Sequence, residues 1–238
     1  MKKVDQVNKR TMNSAKKELC MKRVLFVFAM ICVLGSLVAL ESAPSEVVGY
    51  VKYELNNNGT SGYNIVSVPL GSQYVGTCDA LFAAIPNCDV LSKWDPVTQL
   101  WVAYDGMPWT PTFTIESGYA YMAHVTGVGE WYCAGDVPDA PTFALNFNGT
   151  SGYNMIMLPL DMSNMATSDQ LFADIPNCDV LSKWDSISQL WVAYDGFPWT
   201  PAWATEIGTG YMVHVTGNGT WPVVGGDSDS EKQAKKKQ

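Results

Sequence analysis

The chain has 238 residues, a formal net charge of −8, 12 % aromatic residues and only 16 % charged ones. So many large side chains with so little charge exclude a disordered polymer and a salt-bridged helical assembly. Residues 44–225 hold three lysines (Lys52, Lys93, Lys183), no arginine and 17 acidic residues, a balance near −14, which repels phosphate backbones and excludes ordinary nucleic-acid binding, and disfavours anionic lipid headgroups as well.

In chain order, residues 1–20 are polar and basic, and residues 21–43 follow the layout of a secretory signal peptide. Lys22 and Arg23 precede the charge-free run Val24–Leu40, and small residues follow it. Cleavage is expected. The alternative is an uncleaved anchor, because the run sits at the short limit of a membrane span, roughly 17–25 residues. The expected location is therefore secreted or cell-surface, with the membrane reached only through this segment. Residues 226–238 are polar and are expected to be a disordered tail.

Between these ends the chain repeats itself. Residues 58–134 match 148–224 at a constant offset of 90, with 47 identities in 77 positions and no gap. The organisation is two tandem modules of about 90 residues, 44–138 and 139–225, so one structural unit is used twice.

Each unit opens with a strand, Val47–Leu55 or Thr142–Phe147. It is followed by Asn-Gly-Thr-Ser-Gly-Tyr-Asn, whose Asn-Gly step is a hairpin signal. Next, Asn64–Leu70 (Asn154–Leu160) alternates as a strand, and Thr77 or Thr167 before an aspartate caps a short helix that Pro86 ends. Cys88–Asp95 and Leu100–Tyr104 read as two strands of one hairpin, and the Pro-Trp-Thr-Pro loop follows Asp105-Gly106. Gly118–Val125 alternates Tyr121, Ala123 and Val125 against Met122 and His124, and a last strand contains Trp131. Six or seven short strands and one helix per unit predict a mainly β fold of sandwich or barrel-like modules.

Candidate chemistry is sparse. His124 and His214 occupy the same strand position in the two modules and read as structural, with no adjacent donors at metal-ligand spacing. No nucleophile elbow, zincin helix, phosphate loop or dinucleotide fingerprint occurs, and no cofactor is implied. Asp95 and Asp105 (Asp185 and Asp195) flank one hairpin. They read first as turn-capping aspartates and second as a carboxylate pair of the kind a glycosidase sets across a cleft. Cys78, Cys88, Cys133 and Cys178 are the disulfide candidates of an exported chain. Only Cys88 and Cys178 correspond, so a bond repeated within each module is ruled out, and plain buried thiols are the alternative.

The tryptophans are the stronger lead. Trp94 shares the parity of Val90 and reads as core, whereas Trp101 has the opposite parity to Leu100, Val102 and Tyr104. Trp109 sits in the rigid Pro108–Pro111 loop. Exposed indoles stack on sugars or anchor protein interfaces. The candidate ligand-binding set is therefore Trp101, Trp109 and Asp105 with their counterparts Trp191, Trp199 and Asp195. Three Asn-Gly-Thr sequons, at Asn58, Asn148 and Asn218, coincide with turns and are read as turn residues.

The order Gly62–Leu70, a short helix, Ser92-Lys-Trp-Asp95, Gln99-Leu-Trp-Val102, Gly118–Met122 and Trp131 resembles a repeat of secreted or cell-surface multidomain proteins of bacteria. The resemblance implies an extracellular β module and supplies no catalytic residue. The expected function is non-enzymatic adhesion, with polysaccharide or a surface protein as partner and two sites acting together. The alternatives are a coat or matrix subunit that self-associates, and an extracellular glycoside hydrolase.

Overall fold

A computed structural model describes residues 48–139 and 141–222, all within one compact unit. The basic N-terminal segment, the signal sequence and the polar tail lie outside these residues. In the first repeat the strands are β1 (Val48–Leu55), β2 (Tyr63–Ser67), β3 (Gly76–Thr77), β4 (Cys88–Asp95), β5 (Leu100–Tyr104), β6 (Thr114–Ile115), β7 (Ala120–Val125) and β8 (Gly129–Asp136), with helix α1 (Cys78–Ala84) after β3. The second repeat contributes β9 (Phe143–Leu145), β10 (Tyr153–Met157), helix α2 (Ser168–Asp174), β11 (Cys178–Asp185), β12 (Leu190–Tyr194), β13 (Gly210–Val215) and β14 (Gly219–Trp221).

Each repeat builds one antiparallel four-stranded sheet, β2-β7-β4-β5 or β10-β13-β11-β12, and a two-stranded ribbon, β1-β8 or β9-β14; the first repeat adds the short pair β3-β6. The sheets do not close into a barrel, so of the two expected forms the sandwich is the one present. On the inner face of the first sheet, Val66, Leu91, Tyr121 and Ala123 pack with Leu81 of the helix and with Tyr53, Leu55 and Trp131 of the ribbon. The second repeat forms the equivalent core around Ile156, Leu171, Leu181, Tyr211 and Trp221.

The Asn-Gly segment corrects the hairpin expectation. It joins the ribbon to the sheet, since β1 pairs with β8 and β2 with β7. Asn58 Oδ1 accepts the amides of Thr60 and Ser61, a local turn that needs no strand pairing. The chain then passes so close to Val125 that any Cβ at Gly62 would strike its carbonyl oxygen, which is why glycine stands there.

The outer faces of the two four-stranded sheets carry the second departure. Strand β7 is buried on both sides, with Ala120 and Met122 as enclosed as Tyr121 and Ala123. The cover is the sister repeat. Gly210 of β13 lies against Ala120, and a Cβ there would also stand 2.6 Å from Ile65 Cγ2. Positions 120 and 210 are equivalent in the repeats and touch each other, so a pseudo-twofold axis passes between them. The face-to-face sandwich is formed across the repeats, each sheet closing the other.

Candidate functional site

The seam between the repeats is held by a reciprocal clamp. Trp94 Nε1 donates to the Tyr153 carbonyl at 2.8 Å, and Trp184 Nε1 donates to the Tyr63 carbonyl at 2.7 Å. The Gln99 side chain pairs with both main-chain groups of Tyr153. Its Oε1 accepts the amide at 2.8 Å and its Nε2 donates to the carbonyl at 2.9 Å. Gln189 repeats this on Tyr63 at 2.7 and 2.9 Å. The hydroxyls of Ser151 and Ser61 complete the two sets. Gln99 and Gln189 hold left-handed backbone, each at φ 58°, where glycine is the ordinary choice. Their side chains supply the reason for keeping glutamine: a strained turn residue here supplies the amide that caps the partner's strand edge.

This geometry relocates Trp94. It does share a face with Val90, as the parity indicated, but that face meets the sister repeat and the indole is half-buried at the seam. Trp101 lies directly across the hairpin from Trp94 and meets its ring edge-on at 5.2 Å, and Trp191 does the same with Trp184. Trp101 is half-buried and Trp191 is 37 % exposed. Both buttress the clamp from edge strands.

Trp109 and Trp199 are 76 % and 75 % exposed, the most open indoles of the described residues. Their loops are braced in the same way. Asp105 Oδ1 accepts the Met107 amide at 3.0 Å and the Thr110 hydroxyl at 2.9 Å, and Asp195 accepts from Phe197 and Thr200 at 3.1 and 2.5 Å. These donors hold both carboxyls below the usual range, the Met107 amide contributing most at Asp105 and the Thr200 hydroxyl at Asp195. In the second repeat Phe197 stacks on Trp199 with centroids 4.7 Å apart. The six expected residues therefore separate into two features per repeat: a presented loop (Asp105, Trp109) and a buttress (Trp101).

Asp95 and Asp185 are likewise committed to turns. Thr98 and the Val97 amide depress the first, and Ser188 and the Ile187 amide the second. The general acid of a glycosidase needs its carboxyl raised, the opposite of what these bonds do. Cys78, Cys88, Cys133 and Cys178 are free thiols, which corrects the disulfide candidates. Burial pushes Cys88 and Cys178 up to about 12, leaving them largely as thiols at neutral pH. His124 Nδ1 lies 2.5 Å from Asp89 with its ring edge-on to Tyr63 at 4.7 Å, and His214 repeats the arrangement with Asp179 and Tyr153.

Sequence reasoning missed the clefts along the seam. Beside the second sheet lies an open cleft of about 650 Å³, lined by Ile65, Lys183, Trp184, Trp203, Glu206 and Thr209 among others. Its pseudo-twofold counterpart, lined by Lys93, Trp94, Glu116 and Tyr119, holds about 240 Å³. The available signal was the mismatch of the repeats at these positions, Tyr119 against Thr209 and Phe113 against Trp203.

Comparison with protein-family models, with curated proteins and with solved structures finds no match to this chain.

Proposed function

We propose that the chain is an exported, non-enzymatic adhesion protein that binds polysaccharide through the paired loops bearing Trp109 and Trp199. One observation carries this reading. Two indoles stand about three-quarters exposed on loops fixed by the same hydrogen bonds in both repeats. Leaving an indole in water forgoes its burial, and a rigid loop loses little entropy when a ligand covers the ring. The acidic modules favour a neutral ligand over an anionic one, and the signal-like N-terminus together with the bacterial surface-repeat resemblance supports an extracellular setting. Two sites on one body gain avidity of about 10²–10⁴-fold when both engage one polymer.

The test is retention of the protein on insoluble polysaccharides. Trp109→Ala alone is expected to drop retention to the weak monovalent level, and Trp109→Ala with Trp199→Ala to remove it, with the circular dichroism spectrum unchanged. Undiminished retention of the double variant would sink the proposal.

Self-assembly is the second reading, and the sheet edges favour it. Strands β5 and β12 are edge strands of identical sequence, Leu-Trp-Val-Ala-Tyr, without lysine or proline, and Leu100 and Leu190 are each 64 % exposed. Unguarded edges of this kind are templates for pairing with another copy. Light scattering that rises with protein concentration, and that Ala103→Lys suppresses, would favour it over the adhesion reading.

A further inference from the structure

We propose that the larger seam cleft, which Pro201 at the end of the Trp199 loop lines but neither the Trp109 nor the Trp199 ring does, is a saccharide subsite that takes one neutral pyranose ring; its ligand class rests on the polysaccharide reading above. The argument starts from the pseudo-twofold axis, which gives every seam residue a reference. Around the smaller cleft, Lys93 Nζ meets Glu116 at 2.7 Å and Tyr119 packs edge-on against Phe143, so charge and space are both closed off. At about 240 Å³ the space falls below the roughly 300–1,000 Å³ of small-molecule sites, whereas about 650 Å³ falls inside it.

The equivalents in the larger cleft are the same two charges, but they do not meet. Among the described residues Lys183 has no ion pair. Its ammonium lies over the Trp203 indole, 4.9 Å from the ring centroid, while Glu206 lines the same cleft and is exposed. Three replacements account for the difference: Thr209 stands where the first repeat has Tyr119, Trp203 where it has Phe113, and Glu54 where the second repeat has Ala144. The outcome is a cleft with an indole wall (Trp184), aliphatic neighbours (Ile65, Val192) and opposite charges with no partner in each other.

Those groups fit the two kinds of surface a sugar has. The axial C–H face of a pyranose packs on an indole and aliphatic wall. Its hydroxyls accept from the Lys183 ammonium and donate to the Glu206 carboxylate, both charge-assisted bonds. With Glu54, Asp185 and Glu206 against the single Lys183, the cleft repels uronic, sialic and phosphorylated sugars.

The test is a tryptophan-fluorescence titration of the full chain with methyl glucoside, methyl galactoside, methyl mannoside and N-acetylglucosamine. At least one should give a saturable signal. Thr209→Tyr installs the residue that the first repeat already holds at the equivalent position just before the strand, and it should weaken that binding at least ten-fold. Lys183→Met and Glu206→Gln should each do so too, with the fold unchanged. Trp109→Ala with Trp199→Ala should lose polysaccharide retention and leave the glycoside titration as it was. Wild-type affinity in Thr209→Tyr, or in both Lys183→Met and Glu206→Gln, would overturn the subsite. So would the lack of any saturable signal from a protein that polysaccharide still retains, an outcome that spares the loop reading. Loss of retention as well would bring down both.

Discussion

Replacing Gln99 separates the value of the clamp from the strain that accompanies it. Alanine removes four bonds: three across the seam, to the Ser151 hydroxyl, the Tyr153 amide and the Tyr153 carbonyl, and one within the hairpin, to the Pro96 carbonyl. The site is part-exposed, so water can reach the freed groups and each bond sits near the low end of its range, about 0.5 kcal/mol net. The sum is about 2 kcal/mol. Alanine inherits the left-handed backbone at φ 58°, so that cost stays unchanged. Glycine loses the same bonds but escapes a left-handed penalty of about 1 kcal/mol.

The expected order of stability is therefore wild type, then Gln99→Gly at about 1 kcal/mol below it, then Gln99→Ala at about 2 kcal/mol below. For a folded body of this size 1 kcal/mol moves Tm by about 2–4 °C, so the alanine variant should melt about 4–8 °C lower. Urea titration and thermal melting of both variants give the numbers. A glycine variant more stable than wild type would show that the clamp contributes less than the strain it requires. An alanine variant no worse than glycine would show that the turn stores no strain. Either result refutes the reasoning that ties this residue's backbone to its side chain.

At the axis, Gly210→Ala places a methyl against Ala120 and 2.6 Å from Ile65 Cγ2; overpacking should cost about 1–3 kcal/mol. Adding Ala120→Gly should recover part of it, a coupling of at least about 0.5 kcal/mol in denaturant melts, whereas strict additivity would contradict the direct contact. The Asp105 and Asp195 carboxyls are held low in the folded state. Their bracing is thus present above the unfolded aspartate value of about 3.9 and lost as pH falls through the lower folded value. Carboxyl carbon NMR should give midpoints below that of a free aspartate, and midpoints at the ordinary value would mean that the loops are not braced as described.

Much of one repeat was legible in the chain, and the failures share a cause. The strands at 88–95 and 100–104 and the helix after Thr77 stand where alternation and the Thr-x-Asp start put them, because those signals are local, although the Thr77 side chain makes no cap bond. The Asn-Gly step misled because it encodes a turn and leaves open which strands flank it. Here the chain leaves the ribbon for the sheet, and the pairing is decided by contacts with β7 and β8 more than fifty residues away. Trp94 was assigned to its correct face and the wrong neighbour. A strand's period of two says which residues share a face, not what covers it. The nearly unbroken apolar run Ala120–Val125 was the usable sign that both faces are covered. The loops of Trp109 and Trp199 were legible because proline and an aspartate turn are local devices. The larger cleft was not, since it exists only where two repeats meet.

Divergence between the repeats becomes interpretable once the axis is located. A shared residue in a young duplication carries little information, because it has had little time to change. Two neighbouring positions, the first residue of a strand and the one before it, did change where the sheets meet: Tyr119-Ala120 corresponds to Thr209-Gly210. The second position decides how closely the sheets approach. Alanine against glycine fits, while a pairing of two first repeats would set alanine against alanine where even one added Cβ meets Ala120. That selects the intramolecular partner over the matching repeat of another copy, a repulsive element of the kind specificity requires. The first position decides how much room is left beside the axis, and threonine leaves the larger cleft where tyrosine leaves the smaller. A seam that only had to hold two repeats together would gain nothing from the second asymmetry, which costs buried ring contacts of the kind Tyr119 makes with Phe143. The proposed subsite rests on its presence beside a lysine and a glutamate that form no ion pair among the described residues.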